Sequence, residues 1–371
     1  MSAVGLFRMS LEKLRRFSFV LLSLCLLTAL PVSAAEDLRG SPAAHVLPGE
    51  FASEHWEFTV RFDSGHLLFI EFVVTNIGFG DRNAAVFGHI VPPGGKPQRI
   101  SNGRMEGYWT LSPDRLRMEV GTSLLDVHPP AYKIQVNKRS VRLDLQVRPE
   151  VQPLWAQALA PPGYALDLLA VAAPIEGTLW LKGMAEPIQV KGVVAATHSW
   201  TNTAGSTLVL RRVEFFSLNV DAPVYGLDLT APDGTHRRWI VAKPPDHTVY
   251  QSEHFELSFT GELQGPREQG YAVPQVLQLK NDEIEGQIRL ESRVLQADPF
   301  VDLPRPFRYL VSLVLDLRPR RIWAQSQFEL SWPATPPSER TQQHGAGITT
   351  VTFLNPLPTT LAKTQRFVTL R

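Results

Sequence analysis

Hydrophobic and polar residues alternate with a period of two along most of the chain. Leu116, Met118 and Val120 alternate with charged residues, and segment 141–147 places Val and Leu between Arg, Asp and Gln. Successive side chains of a strand point to opposite faces, so this pattern is typical of a half-buried antiparallel strand. The same alternation returns at 255–259, 284–295 and 328–332.

Two longer apolar runs, 67–75 and 208–220, predict central strands that are covered on both faces. Turn-forming sequences such as Asp63-Ser64-Gly65 and Asp233-Gly234 separate the strand-like segments. Helical periodicity is nearly absent, and only 154–159 predicts a short helix. Many short strands with hairpin turns indicate an all-β sandwich or barrel.

The chain of 371 residues is longer than one core usually supports, so two domains are expected. We predict a boundary near residue 190, with one barrel of about eight strands in 44–190 and a second in 191–333. Segment 334–371 is predicted to be a linker followed by closing strands at 348–353 and 365–370.

Residues 1–34 have the features of a secretory signal peptide. Arg15 and Arg16 precede the apolar segment 17–30, and Val32-Ser33-Ala34 forms a cleavage site of small residues. The apolar segment is shorter than the roughly 20 residues that span a bilayer, which favours cleavage over anchoring. We therefore expect a periplasmic or secreted protein, whose translation begins at Met1 or equally at Met9.

Charge and motifs exclude several function classes. The formal charge of +1 becomes −2 when 1–34 is removed, so no excess charge attracts nucleic acid or an anionic membrane. The only cysteine, Cys25, lies in the signal segment, which leaves the mature chain without a thiol. The G-x-S-x-G, H-E-x-x-H and phosphate-loop motifs are absent, and the ten histidines lack a regular metal-ligand spacing. We expect no cofactor and no metal.

Segment 191–202 contains the first candidate site. His198 and Trp200 are two residues apart, so both side chains face the same side of a strand, where they could form the floor of a pocket. The alternative is structural, with Trp200 in the core and His198 hydrogen-bonded at a domain junction. Trp56 and Trp109 also lie on strand-like segments, where large rings either fill a barrel or line an apolar cavity.

Four segments resemble a known family. They are Glu54-His55-Trp56-Glu57-Phe58, Asp63-Ser64-Gly65-His66-Leu67, the run from Phe72 to Asp81, and the run from Gly192 to Trp200. The chain resembles the two-domain lipocalin-like proteins over most of 50–332. That family includes the AttH-like proteins and the CrtC-type carotenoid 1,2-hydratases, also called hydroxyneurosporene synthases.

The resemblance implies two tandem lipocalin-like antiparallel β-barrels with a pocket for a long apolar molecule near their junction. In the hydratase branch, a His, Trp, Tyr and Asp group adds water to a terminal isoprenoid double bond. His198, Trp200 and Tyr225 match this pattern, but Leu227 takes the position of the carboxylate and Asp228 follows one residue later. In a regular strand Asp228 would face away from a pocket that Tyr225 faces.

Three functions remain open at this point. The favoured one is an exported protein that binds or delivers an isoprenoid, carotenoid or other lipid, with Trp56, Trp109, His198, Trp200 and Tyr225 as ligand-binding residues and an envelope permease or the membrane as partner. The alternative is a hydratase with His198, Trp200, Tyr225 and Asp228 as catalytic residues. The third is a structural module with solid barrels, which a measured cavity volume above about 300 Å³ would argue against.

Overall fold

The computed structural model describes residues 42–77, 81–149, 163–243, 249–264, 271–298, 318–333 and 340–357. Regular structure in these residues consists of β-strands and one four-residue helix, α1 (Gly205–Leu208). The strands form two curled antiparallel sheets, which confirms the prediction of tandem lipocalin-like barrels.

The first sheet contains eleven strands. They are β1 (Ser53–Phe62), β2 (Leu67–Thr75), β3 (Asn83–Val91), β4 (Gln98–Arg104), β5 (Thr110–Leu111), β6 (Arg117–Val120), β7 (Ser123–Asp126), β8 (Tyr132–Asn137), β9 (Val141–Val147), β10 (Tyr164–Leu181) and β11 (Ile188–Thr201). Their order is β4-β3-β2-β1-β11-β10-β9-β8-β7-β6-β5, so the first strand of the sheet pairs with its last.

The second sheet contains nine strands that are connected in the same way as those of the first sheet. They are β12 (Arg211–Ser217), β13 (Val224–Thr230), β14 (His236–Ala242), β15 (Tyr250–Ser252), β16 (Glu256–Glu262), β17 (Pro274–Lys280), β18 (Glu285–Ala297), β19 (Arg320–Pro333) and β20 (Arg340–Phe353). Their order is β15-β14-β13-β12-β20-β19-β18-β17-β16, and again the first strand pairs with the last.

The first sheet extends past the boundary predicted at residue 190. Strand β11 forms ladders with β1 and β10, so the second sheet begins at Arg211 and the connection includes α1. At Gly192 a Cβ would lie 2.1 Å from the Arg61 carbonyl oxygen, and glycine therefore permits the close approach of β11 to β1. The predicted strand 348–353 is the end of β20, which pairs with both β12 and β19 and completes the second sheet.

Alternating burial divides the buried apolar side chains among the core of the first barrel, the core of the second barrel and the layer between the two sheets. In β1 the residues at even positions, such as Phe58 and Val60, enter the core of the first barrel. Residues at odd positions of the neighbouring strands, such as Phe69 on β2, pack instead against the second sheet. There the Phe69 ring stacks on the Trp323 ring of β19, with centroids 4.7 Å apart. Strands β1, β2 and β11 are thus covered on both faces, and the face between the sheets holds the candidate site.

The predicted signal peptide at 1–34, the predicted helix at 154–159 and the predicted strand at 365–370 lie outside the described residues. In the residues that are described, no helix is both long enough and apolar enough to cross a membrane.

Candidate ligand-binding site

A cavity of about 440 Å³ lies between the two sheets. Strands β1, β2 and β11 form one side, and strands of the second sheet, including β12, β13 and β19, form the other. This volume falls within the range of roughly 300–1,000 Å³ that is usual for small-molecule sites. Much of the wall is apolar, with contributions from Phe69, Val73, Phe87, Phe216, Leu229 and Trp323.

Charged side chains cross this cavity in a continuous series. Arg321 of the second sheet places Nη1 2.8 Å from Glu57 Oε1 and 2.6 Å from Glu71 Oε2, both in the first sheet. Arg212 of β12 places Nη1 2.7 Å from the other oxygen of Glu57 and Nη2 2.7 Å from Glu214 Oε1. Two arginines of one sheet therefore bind carboxylates of the other and hold the two sheets together.

A histidine and a tyrosine end the series. His55 Nδ1 lies 2.6 Å from Glu71 Oε1, and Nε2 of the same ring contacts the Ser53 hydroxyl. At the other end, the Tyr225 hydroxyl donates a hydrogen bond of 2.6 Å to Glu214 Oε1. We call this set the junction network: Ser53, His55, Glu57, Glu71, Arg212, Glu214, Tyr225 and Arg321.

Burial and pairing act together on the ionisation of the junction network. Burial alone would raise the pKa of Glu71, but the charge of Arg321 and the hydrogen bond from His55 outweigh it, so the pKa is lowered. Burial would lower the pKa of Arg212, but Glu214 and Glu57 raise it well above its usual value. Burial and the Glu214 charge raise the pKa of Tyr225, which therefore stays a neutral donor at physiological pH. The cavity thus combines apolar walls with fixed charges of both signs.

Two buried donors in the junction network lack a partner. Within the described part of the chain, the Nε–H groups of Arg212 and Arg321 make no hydrogen bond. Leaving a buried donor unsatisfied costs about 1–3 kcal/mol, so a ligand oxygen that accepted either bond would gain affinity. Both arginines line the cavity.

His198 lies on the opposite face of β11 from this cavity. Its ring is buried inside the first barrel, where it stacks on Trp56 with centroids 4.5 Å apart. Its Nε2 lies 2.8 Å from Glu54 Oε1. Trp200 is half-buried at the end of β11, where its ring packs against the His45 and His198 rings, as expected for residues two apart on a strand, and the residue also borders the cavity.

The remaining predicted site residues lie in different parts of the structure. Tyr225 lines the cavity, whereas Trp56 lies in the first barrel and Trp109 packs against its core, with its Nε1–H donated to the Arg82 carbonyl oxygen. Asp228 is fully buried on the other face of β13, as the two-residue alternation predicts. The structure therefore brings Tyr225 and Trp200 to the cavity and leaves Trp56, Trp109, His198 and Asp228 elsewhere.

Asp228 is held by ion pairs within the second sheet. Its carboxylate lies 3.0 Å from His236 Nδ1, 3.0 Å from Arg238 Nε and 3.5 Å from Arg211 Nη2. Burial would raise its pKa, but His236 and the two arginines lower it. A carboxylate held ionised in this way is a poor proton donor and has no contact with the cavity.

His45, Glu54 and His198 form a cluster whose atoms have the types that ligate metals. Glu54 Oε1 lies 2.9 Å from His45 Nδ1 and 2.8 Å from His198 Nε2. Ligands of a tetrahedral zinc ion are roughly 3.3 Å apart, given bonds of about 2.0–2.1 Å. The Glu54 carboxylate also accepts the backbone N–H groups of His45 and Val46. These are hydrogen-bond distances, so hydrogen bonds to Glu54 tie 45–46 to the first barrel.

Sequence reasoning missed most of the junction network. Glu71 interrupts the apolar run of β2, and Arg212 and Glu214 interrupt that of β12. A charged residue inside a strand that is covered on both faces must be paired with an opposite charge. The charged residues in these apolar runs were therefore the sequence signal for a buried ion-pair network. The partner of Glu71, Arg321, is 250 residues away in the sequence, and only the fold brings the two together.

Comparisons with known proteins show the fold. No protein-family model and no curated protein sequence matches the chain. A protein assigned as AttH from Nitrosomonas europaea has a similar structure, with a TM-score of 0.62 and 15% identity over 88% of this chain and 98% of its own. Kievitone hydratase from Nectria haematococca has a TM-score of 0.55 and 10% identity over 85% of this chain and 94% of its own. CghA with Sch210972 has a TM-score of 0.55 and 12% identity over 86% and 96%.

Proposed function

We propose that the protein binds a mostly apolar organic molecule with one oxygen-bearing end in the junction cavity and carries it in the cell envelope. The observation that supports this most directly is the cavity of about 440 Å³, which has apolar walls and the charged junction network. Isoprenoid alcohols and acyl lipids have this combination of surfaces. A structural neighbour, CghA, has also been crystallised with Sch210972.

The apolar part of such a ligand supplies the larger share of the binding energy. Burying ~300 Å² of apolar surface contributes ~7 kcal/mol at about 25 cal/mol per Å². Association costs at least ~4 kcal/mol, so hydrophobic contact alone gives weak binding. Hydrogen bonds from Arg212 or Arg321 to a ligand oxygen would add to it and would fix the orientation of the ligand.

A blocked cavity tests this proposal. Val73 is buried on the cavity wall, and Val73→Phe adds a ring to that wall. We expect the wild-type protein to enhance the fluorescence of dansylated undecanoic acid and Val73→Phe to weaken its binding at least tenfold. Val249→Phe makes the same change at an exposed position outside the cavity and is expected to bind as the wild type does. Absence of binding to the wild type, or equal binding to both variants, would overturn the proposal.

Transport in the envelope depends on export of the chain. The predicted signal peptide supports export, and we expect the protein in the periplasmic fraction with Ala35 as its first residue. Retention in the cytoplasm with an intact N-terminus would contradict this part of the proposal. Mass spectrometry of lipid extracted from the purified protein would identify the bound molecule.

A second candidate function is hydration of an isoprenoid double bond. It is favoured by the imidazole–carboxylate pair of His55 and Glu71 in the cavity and by the shared fold of kievitone hydratase. Protonated His55 would transfer its proton to the alkene, and the Phe69 and Trp323 rings in the wall would stabilise the resulting cation. Water would then add to the cation and return a proton to His55.

The product mass separates this candidate from simple binding. Incubation with neurosporene would give a product heavier by one water molecule if the protein is a hydratase, and His55→Asn would abolish that product. Asp228→Asn is the control, because Asp228 lies outside the cavity. Recovery of unchanged neurosporene from the wild-type protein would exclude hydration of this substrate.

A further inference from the structure

Three members of the junction network are hydrogen-bonded in series, serine to histidine to carboxylate, as in a hydrolase triad. Ser53 and His55 lie two residues apart on the same face of β1, and the Ser53 hydroxyl contacts His55 Nε2. Glu71 lies diagonally opposite on β2, because the register pairs His55 with Val73 and Glu57 with Glu71. Its Oε1 is 2.6 Å from His55 Nδ1.

The partners of the imidazole assign its tautomer. A carboxylate accepts hydrogen bonds, so Nδ1 carries the proton that is donated to Glu71. In neutral His55, Nε2 is therefore the acceptor and faces the Ser53 hydroxyl. This is the arrangement in which a histidine removes the proton of a serine nucleophile.

The environment keeps Glu71 available for this role. Its two oxygens are divided between His55 and Arg321, and the Arg321 contact of 2.6 Å stabilises the ionised carboxylate. Ser53, His55 and Glu71 all line the same cavity, where the Ser53 side chain is nearly buried. A substrate therefore reaches the serine through the cavity, and the apolar walls select an acyl chain.

We propose that Ser53 is an acyl-accepting nucleophile for esters or thioesters of apolar acids, with His55 as its general base and Glu71 as the residue that positions His55. The Ser53 Oγ attacks the acyl carbonyl carbon while its proton passes to His55 Nε2. His55 then protonates the leaving alkoxide or thiolate, and an alcohol or thiol departs. Water attacks the acyl-serine, His55 takes its proton, and collapse of the intermediate releases the carboxylic acid and restores the Ser53 hydroxyl.

The strand location of Ser53 limits the expected rate. Strand β1 is paired on both sides, with β2 and β11, so its backbone N–H groups bond within the sheet. In a nucleophile elbow such groups stabilise the tetrahedral oxyanion instead. We therefore expect activated esters to acylate Ser53 and the acyl-enzyme to turn over slowly, which produces a burst followed by a slow phase.

Acylation by p-nitrophenyl decanoate tests this proposal, which rests on the cavity binding of the proposed function. We expect a burst of p-nitrophenolate and a decanoyl adduct on the peptide that contains Ser53. Ser53→Ala should remove both, and Glu71→Gln should slow the burst at least tenfold while the adduct stays on Ser53. Ser64→Ala is the matched control, because Ser64 also bonds a histidine two residues later, 3.0 Å away, but outside the cavity.

The dansylated probe distinguishes the two proposals. An adduct absent from Ser53 of the wild type, or formed on another residue, while the probe still binds would overturn the nucleophile and leave the binding function intact. Failure of both the probe and the ester would overturn both. Since the wild-type adduct is decisive, an unstable Ser53 variant does not prevent the test.

Discussion

Replacement of Glu54 by glutamine is expected to destabilise the fold in a pH-dependent way. Glu54 is almost fully buried and accepts hydrogen bonds from His198, from the His45 ring and from the backbone of His45 and Val46. Burial would raise its pKa, but the two histidines lower it from 4.5 to about 2. One pKa unit corresponds to about 1.4 kcal/mol, so the ionised carboxylate stabilises the folded state by about 3 kcal/mol at pH 7.

The sign of the pH dependence follows from the lowered pKa. The stabilisation is fully present above pH 4.5 and is lost as the pH falls towards 2, because in this range the unfolded chain binds a proton that the folded protein does not. Glu54→Gln lacks this titration. The difference between wild type and variant should thus be about 3 kcal/mol at pH 7 and less than half of that at pH 3.

Urea unfolding monitored by tryptophan fluorescence at pH 7, 5, 4 and 3 measures this difference. Glu106→Gln is the control, since Glu106 is exposed and its ion pair with Arg82, at 3.7 Å, is exposed as well. Its effect should stay within about 0.5 kcal/mol at each pH. A Glu54→Gln difference that is equal at pH 7 and pH 3, or below about 1 kcal/mol at pH 7, would refute the reasoning.

Two further predictions concern the charged residues of the second sheet. Arg321→Met leaves Glu71 and Glu57 without their shared cation. Breaking a buried ion pair costs ~3–5 kcal/mol, and because Arg321 is partly exposed we expect a loss of stability of about 2–3 kcal/mol. Urea unfolding measures it, and adding Glu71→Gln should restore part of the stability, whereas a double variant no more stable than the single one would contradict the pairing. Asp228→Asn should lower the unfolding midpoint and leave binding of the dansylated probe unchanged, because Asp228 pairs with His236 away from the cavity. Weaker probe binding by a folded Asp228→Asn protein would show that the carboxylate does affect the cavity.

The strands were predictable because alternation encodes them directly. The segments 67–75 and 141–147 coincide with β2 and β9, and the fold class follows from such segments. The face of a doubly covered strand is harder to assign. His198 at an even position enters the first barrel and Thr197 at an odd position faces the second sheet, yet both environments are buried and the sequence does not distinguish them.

The candidate site was less predictable than the fold. The resemblance drew attention to His198, Trp200 and Tyr225, of which the last two reach the cavity. The contact between Glu71 and Arg321 depends on the packing of two sheets, and no local pattern records which strands meet there. Charges within apolar strands mark such positions, but the geometry of the fold is needed to pair them.

The pairing of the first strand of each sheet with its last strand bears on how the protein folds. Ser53 pairs with Thr201, and Arg211 pairs with Phe353, so the strands around the cavity meet through contacts between distant parts of the chain. Contacts of this kind form slowly during folding. The capacity to take up a ligand consequently arises only after nearly the whole polypeptide has been synthesised and ordered, and uptake of a ligand can serve as a measure of complete assembly.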